Sequence, residues 1–150
     1  MFMEWPMLNE KDKSALQEFL SRAGLKFSAQ RVKVLEVVRH GARHLTAGEI
    51  YKLTQAKYPG IGYATIYRTL RLLCDAGLCV ELKCEDGVAR YEYAGGAVHH
   101  DHLICTQCGR FVEVVDPEIE RLQERLFKVN GFLPQRHRME LYGICNRCKK

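Results

Sequence analysis

Long apolar runs are missing from this chain: nothing in its 150 residues approaches the roughly 18 consecutive apolar residues that a membrane-spanning helix needs. No membrane partner is therefore expected. The first residues do not read as a secretory leader either. The opening MFMEWPML is apolar in patches, but Glu4 and Pro6 interrupt it, and neither a basic stretch nor a small-residue cleavage site accompanies it. The expected compartment is the cytoplasm, where the seven cysteines are thiols or metal ligands rather than disulfide partners. Acid is missing from one stretch in particular. Between Gly60 and Cys74, GIGYATIYRTLRLLC carries Arg68, Arg71 and two tyrosines but no carboxylate, although the net charge of the whole chain is only +5. A basic, aromatic, helix-compatible segment is the electrostatic footprint of a DNA-contacting element.

What is present has the composition of a globular chain, since 47% hydrophobic and 27% charged residues provide material for a core and exclude disorder as the default. Leu16, Phe19 and Leu20 at helical spacing, closing at Gly24, predict a first helix. Ser28 is the expected N-cap of a second, with Val32, Leu35 and Val38 along one face. Thr46 and Glu49 stand at capping-box spacing and open a third helix that reaches about Tyr58. YPGIG breaks the chain, and YATIYRTLRLLCDAG makes a fourth helix ending at Gly77. The period then changes: LCVELK and VARYEY are short β-type runs joined by CEDG, with Gly87 at the positive-φ position of a hairpin. Two helices and a hairpin in this order predict a winged helix-turn-helix, with residues 63–75 as the helix that enters the major groove. A plain helical interaction module would share the helices but gives no reason for the acid-free fourth one.

At AGGA, residues 94–97, the composition shifts and two glycines suggest a hinge. Beyond it HLIC and GRFVEVV read as strands, PEIERLQERLFKVNG as a helix with Asp116 at the N-cap, Pro117 at its first position and Gly131 past its end, and QRHRMELYGIC as a last strand. The expected class is α+β: a winged-helix domain over 1–94 followed by a small α/β domain over 95–150. The second has only about 50 residues, below the roughly 70–80 at which one core usually suffices, so it needs a metal staple or a partner. Cys105-x-x-Cys108 and Cys145-x-x-Cys148 supply the staple as two knuckles for one tetrahedral ion. Zn²⁺ suits four soft thiolates in a closed, structural site. Zinc-finger peptides gain about 10–16 kcal/mol from such binding. Cys74, Cys79 and Cys84 have no comparable spacing and read as small hydrophobes.

The stretch HHDH, residues 99–102, adds hard ligands beside the first knuckle. In an extended backbone side chains alternate, so His100 and His102 point one way while His99 and Asp101 point the other. One tetrapeptide would then feed two different sites. The competing reading is a single-site zinc hydrolase, but its H-x-H-x-D-H pattern is incomplete, with Ala97 in place of the first histidine. No separate general base or nucleophile stands out either. No catalytic residue and no small-molecule substrate are assigned, and a hydrolase is the distant alternative.

Taken together, GLKFSAQR, IGYATIYRTL, RYEY, HHDHLICTQCG and LYGIC resemble the ferric uptake regulator (Fur) family of metal-sensing bacterial repressors, over nearly the whole chain. The resemblance implies a DNA-binding winged helix, a C-terminal dimerisation domain giving a homodimer, a structural zinc and one or two regulatory metals. Carried over by position, it implies a regulatory site of His44, Glu92, His100 and His102 with Glu113 as a fifth ligand. A second histidine–carboxylate site would be His99, Asp101, Glu120 and His137. Both sets are nitrogen and oxygen only, which suits Fe(II), Mn(II), Co(II) or Zn(II). On DNA the resemblance implies an AT-rich inverted repeat, with Tyr63 and Tyr67 against thymine methyls or bases, Arg68 on phosphate or a base edge, Arg71 adding phosphate attraction and Lys26 in the minor groove. Iron is the expected corepressor. His100 stands where many zinc-uptake regulators place a cysteine, and peroxide sensors typically carry aspartates where this chain has Glu92 and Glu113. Peroxide, zinc or manganese sensing is the alternative within the family.

Overall fold

Asn9 starts the first helix chemically, its side-chain oxygen accepting the Asp12 N–H at 2.8 Å and satisfying one of the donors that a helix start leaves over. The computed structural model describes residues 8–95, 99–135 and 137–149, and divides into two compact units, Met1–Ala97 and Val98–Lys150. Residues 96 and 97 of the expected glycine link lie outside the described residues. No helix among the described residues is long and apolar enough to cross a membrane.

The first unit runs α1 (Glu10–Arg22), α2 (Ala29–His40), β1 (Leu45–Thr46), α3 (Ala47–Lys57), α4 (Tyr63–Asp75), β2 (Cys79–Lys83) and β3 (Ala89–Tyr93). Leu16 and Leu20 from α1, Leu35 and Val37 from α2, Ile50 from α3, Ile66, Leu70 and Leu73 from α4 and Tyr91 from β3 are all buried in one core. Each such side chain contributes roughly 1.5–3 kcal/mol when fully withdrawn from water. The Thr46–Glu49 capping box forms as expected: the Glu49 N–H reaches the Thr46 hydroxyl at 3.2 Å, and the Thr46 N–H reaches the Glu49 carboxylate at 2.8 Å. Ser28 does occupy the N-cap of α2, but its side chain makes no capping bond there. β2 and β3 form the antiparallel wing hairpin, with Gly87 at φ 75° in its loop. A third strand, the two-residue β1, pairs with β3 through Leu45 opposite Tyr91. The unit is a winged helix-turn-helix.

Gly24, Gly77 and Gly131 follow α1, α4 and α5 (Pro117–Val129) with φ near 70°. In each, the next N–H reaches back to the carbonyl five residues earlier, as Leu78 does to Leu73 at 2.9 Å. That left-handed turn closes a helix at little cost only with glycine.

The second unit holds β4 (Asp101–Cys105), β5 (Phe111–Val114), α5 and β6 (Glu140–Gly143). Its sheet has the order β5-β4-β6, with β4 antiparallel to β5 and parallel to β6. The expected last strand is thus cut to four residues. Asp116 caps α5 by accepting the Glu118 N–H at 2.8 Å, and Pro117 sits at the first turn. No residue of α5 is buried. Leu122, Leu126 and Val129 line one side of it and are about half exposed or more, as are Leu141 and Ile144 at the end of the sheet. A 13-residue helix with no buried residue is marginal in isolation, so this apolar surface needs a cover.

Candidate metal centres and DNA-binding face

Four sulfurs meet where β4 and β6 end. Cys105 is the last residue of β4, Cys145 follows β6 by two residues, and parallel pairing of the strands sets Cys105 opposite Gly143. Cys108 and Cys148 then return on tight turns in which the Gly109 and Lys149 N–H groups bond back to the Cys105 and Cys145 carbonyls, both at 2.9 Å. The four Sγ atoms lie within 4.8 Å of one another, and Cys108 and Cys145 are 3.7 Å apart. A tetrahedron with Zn–S bonds of about 2.3 Å has edges of about 3.8 Å, so the residues fit a closed zinc site. The backbone prepares thiolates: the Cys145 N–H, 3.3 Å from Cys105 Sγ, and then the Cys108 N–H bring the Cys105 thiol down to about 6. Cys148 shows the opposite tendency, pushed up to about 12 by the sulfurs of Cys108 and Cys145. All four thiols release their protons together only when a cation takes the protons' place on the sulfurs.

The other three cysteines behave as core residues. Burial pushes Cys74 up to about 11 and Cys79 further, so both are protonated and unreactive at neutral pH.

Histidines 99 and 100 precede β4 but keep its alternation. His99 faces Asp101 at 3.5 Å and Glu120 at 3.4 Å, and His137 faces Glu120 at 3.3 Å. These are Nε2-to-oxygen separations, and one ligand atom from each of the four residues lies within 4.8 Å of the others. Such spacings are long for hydrogen bonds and close to the ~3.3 Å edges of a tetrahedron with 2.0–2.1 Å metal bonds. The residues fit a divalent ion of borderline softness. Asp101 is buried and has a second job that its sequence position does not reveal: its Oδ1 accepts the Met139 N–H at 3.1 Å, fastening the entry of β6.

On the opposite side of β4, His100 and His102 stand ring to ring with centroids 5.0 Å apart, His100 lies 3.8 Å from Glu113, and Glu113 pairs in register with His102. In the first unit, His44 Nε2 lies 3.1 Å from the Glu92 carboxylate. His44 is the one non-glycine among the described residues with positive φ, at 64°. A left-handed histidine is strained backbone, the kind of outlier that clusters at ligand sites.

α4 separates cleanly into two faces. Ile66, Thr69, Leu70 and Leu73 are buried, whereas Tyr63, Tyr67, Arg68 and Arg71 are exposed along one stripe with no acid in the first turn. Tyr63 is held edge-on against Tyr51 of α3 with ring centroids 5.5 Å apart. Tyr51 carries no sequence signal for this, since only the packing of two helices brings it there. Lys26 is exposed in the loop before α2, where the Arg31 guanidinium donates to its carbonyl at 2.5 Å.

The sequence pattern of the ferric uptake regulator family matches residues 22–142. This chain belongs to the ferric uptake regulator family. The ferric uptake regulation protein of Bordetella parapertussis is 42% identical over 135 residues, covering 89% of this chain and 96% of its own. The peroxide operon regulator of Bacillus subtilis is 35% identical over 133 residues, 89% of this chain and 90% of its own. Among solved structures, the Helicobacter pylori ferric uptake regulator, a protein with three functional metal-binding sites, superposes with a TM-score of 0.84 at 30% identity, covering 99% of this chain and 98% of its own. Fur-family members are metal-responsive transcription regulators rather than enzymes, and they bind DNA as dimers. The fold class and regulatory function expected from the sequence therefore stand.

Proposed function

We propose that this Fur-family regulator is an iron-sensing repressor of metal-uptake genes in the cytoplasm, with Fe(II) as corepressor and Mn(II), Co(II) or Zn(II) able to replace it. The observation that carries the reading is that His44 with Glu92 in one unit, and His100, His102 and Glu113 in the other, are each an incomplete set of nitrogen and oxygen donors. Together they would make one hard-to-borderline site of five ligands. A cation holding both sets favours the arrangement in which they meet. Only such differential affinity shifts a population, and moving from 1:99 to 99:1 takes about 5.5 kcal/mol. His99, Asp101, Glu120 and His137 all belong to the second unit, so an ion there steadies that unit rather than switching it. Cys105, Cys108, Cys145 and Cys148 hold the structural zinc.

The homodimer covers the apolar side of α5 and the end of the sheet. Closing then sets two copies of α4 at the spacing of successive major grooves on an AT-rich inverted repeat. Tyr63 and Tyr67 meet thymine methyls or base edges, Arg68 and Arg71 neutralise phosphates, and Lys26 enters the minor groove. Glutamates rather than aspartates at 92 and 113 favour iron sensing over the peroxide-sensing alternative.

The test is protein purified anaerobically, analysed for metal, and titrated onto operator DNA with each ion in turn. Iron- and manganese-dependent binding is expected. Equal binding in the presence of a chelator that leaves zinc in place would overturn the corepressor role. Permanent loss of binding after peroxide, with iron but not with manganese, would move the assignment to peroxide sensing.

A further inference from the structure

Asp12 is a charged residue with only 4% of its surface exposed, far from every ligand set in sequence. Its Oδ2 accepts two hydrogen bonds, from the Arg39 guanidinium at 2.7 Å and from the Tyr93 hydroxyl at 2.5 Å. Arg39 also lies over the Tyr93 ring, 5.5 Å from its centroid. Three elements are thereby tied at one carboxylate: the first turn of α1, the last turn of α2 and the final residue of β3. A buried carboxylate persists only when it is paired and hydrogen-bonded, so this contact is far more specific than an exposed salt bridge.

The place it fastens is the neighbour of Glu92. Along β3 side chains alternate, so Tyr91 and Tyr93 face the core side while Glu92 faces the other way, toward His44. Rotation or slippage at Tyr93 therefore moves the Glu92 carboxylate directly. The chain just beyond is fitted to the same phenol: a Cβ at Gly95 would stand 2.1 Å from the Tyr93 hydroxyl oxygen, so only glycine passes without displacing it.

We propose that Asp12, Arg39 and Tyr93 are positioning residues for metal response, a clasp that holds the end of β3 so that Glu92 is presented to the ion together with His44. This rests on the reading of Glu92 and His44 as regulatory ligands. It gives α1, which belongs to neither the recognition helix nor the wing, a part in the metal affinity of the switch.

The variant to make is Tyr93→Phe, which keeps the ring and removes one donor. Its control is Tyr58→Phe, which removes a comparable hydroxyl that donates to Glu36 at 2.7 Å in the same unit. Both lose one charge-assisted hydrogen bond. In full-length zinc-containing protein, Mn(II) is titrated and read in two ways, by metal binding at equilibrium and by operator binding. Tyr93→Phe is expected to raise the Mn(II) concentration at half-response roughly five- to tenfold, with operator affinity at saturating metal within about twofold of wild type. Tyr58→Phe leaves the half-response concentration in place. An unchanged midpoint in Tyr93→Phe, or an equal shift in Tyr58→Phe, overturns the proposal. Glu92→Gln in the same titration separates the two ways of failing. If it raises the midpoint while Tyr93→Phe does not, the clasp alone is wrong; if neither moves it, the assignment of Glu92 falls and the clasp falls with it.

Discussion

Replacing His44 by glycine and by alanine separates the backbone role of this residue from its side-chain role. With φ at 64°, His44 holds a left-handed conformation that costs an L-residue roughly 1–2 kcal/mol. Both substitutions delete the imidazole and its 3.1 Å contact to Glu92, so that loss cancels between them. Alanine keeps the strain, and glycine relieves it. Glycine in turn gives the unfolded chain more freedom, which takes back about 0.4–1 kcal/mol. The difference leaves His44→Gly more stable than His44→Ala by about 0.5–1 kcal/mol, a roughly two- to fivefold change in the ratio of folded to unfolded protein. Urea unfolding of zinc-containing protein without regulatory metal, followed by far-ultraviolet circular dichroism, measures it as a higher midpoint at an equal slope. Neither variant is expected to bind operator in response to Fe(II) or Mn(II). If His44→Ala proved as stable as His44→Gly, the strain would not exist. If His44→Gly kept full metal response, the strained residue would not be a ligand.

Cys145→Ser should cost the protein its zinc and its dimer together, because it takes away one of the four sulfurs grouped in the proposed closed site; a stable zinc-free dimer in sedimentation and metal analysis would contradict this. Tyr67→Ala removes an exposed side chain of α4 that is not part of the buried core cluster, so it should weaken specific operator binding by about 1–3 kcal/mol while fold, zinc content and metal affinity hold. Wild-type affinity in that variant would remove α4 from the DNA interface.

Much of the fold was legible because its signals are local. The Thr46–Glu49 box, the Asp116–Pro117 start and the glycines at 24, 77, 87 and 131 each act within a few residues, and the structure uses all of them. The alternation of His99 to Asp101 against His100 to His102 likewise follows from strand geometry alone. What escaped is long-range. β1 has two residues, too few for a period, and exists because Leu45 and Thr46 find β3. Parallel pairing of β4 with β6 brings together residues about 40 apart in the chain, which no spacing between strands predicts. Ser28 has the right type for a cap and makes no capping bond. Asp12 looks like an ordinary exposed acid of a first helical turn, and its partners lie 27 and 81 residues away. The positive φ of His44 has no composition signal, since no glycine marks the position and only the folded backbone sets it.

Under the proposed function, metal bound by His44, Glu92, His100, His102 and Glu113 switches DNA binding, whereas the His99, Asp101, Glu120 and His137 site supports the second unit. The most direct measurement is operator titration with Fe(II) or Mn(II) for His100→Ala and His137→Ala side by side, with zinc content and dimer fraction followed in the same samples. His100→Ala is expected to lose metal-dependent binding while remaining a folded, zinc-containing dimer, and His137→Ala to lose less. If His137→Ala were the more damaging with its dimer intact, the switch would lie within the second unit and not with His44 and Glu92.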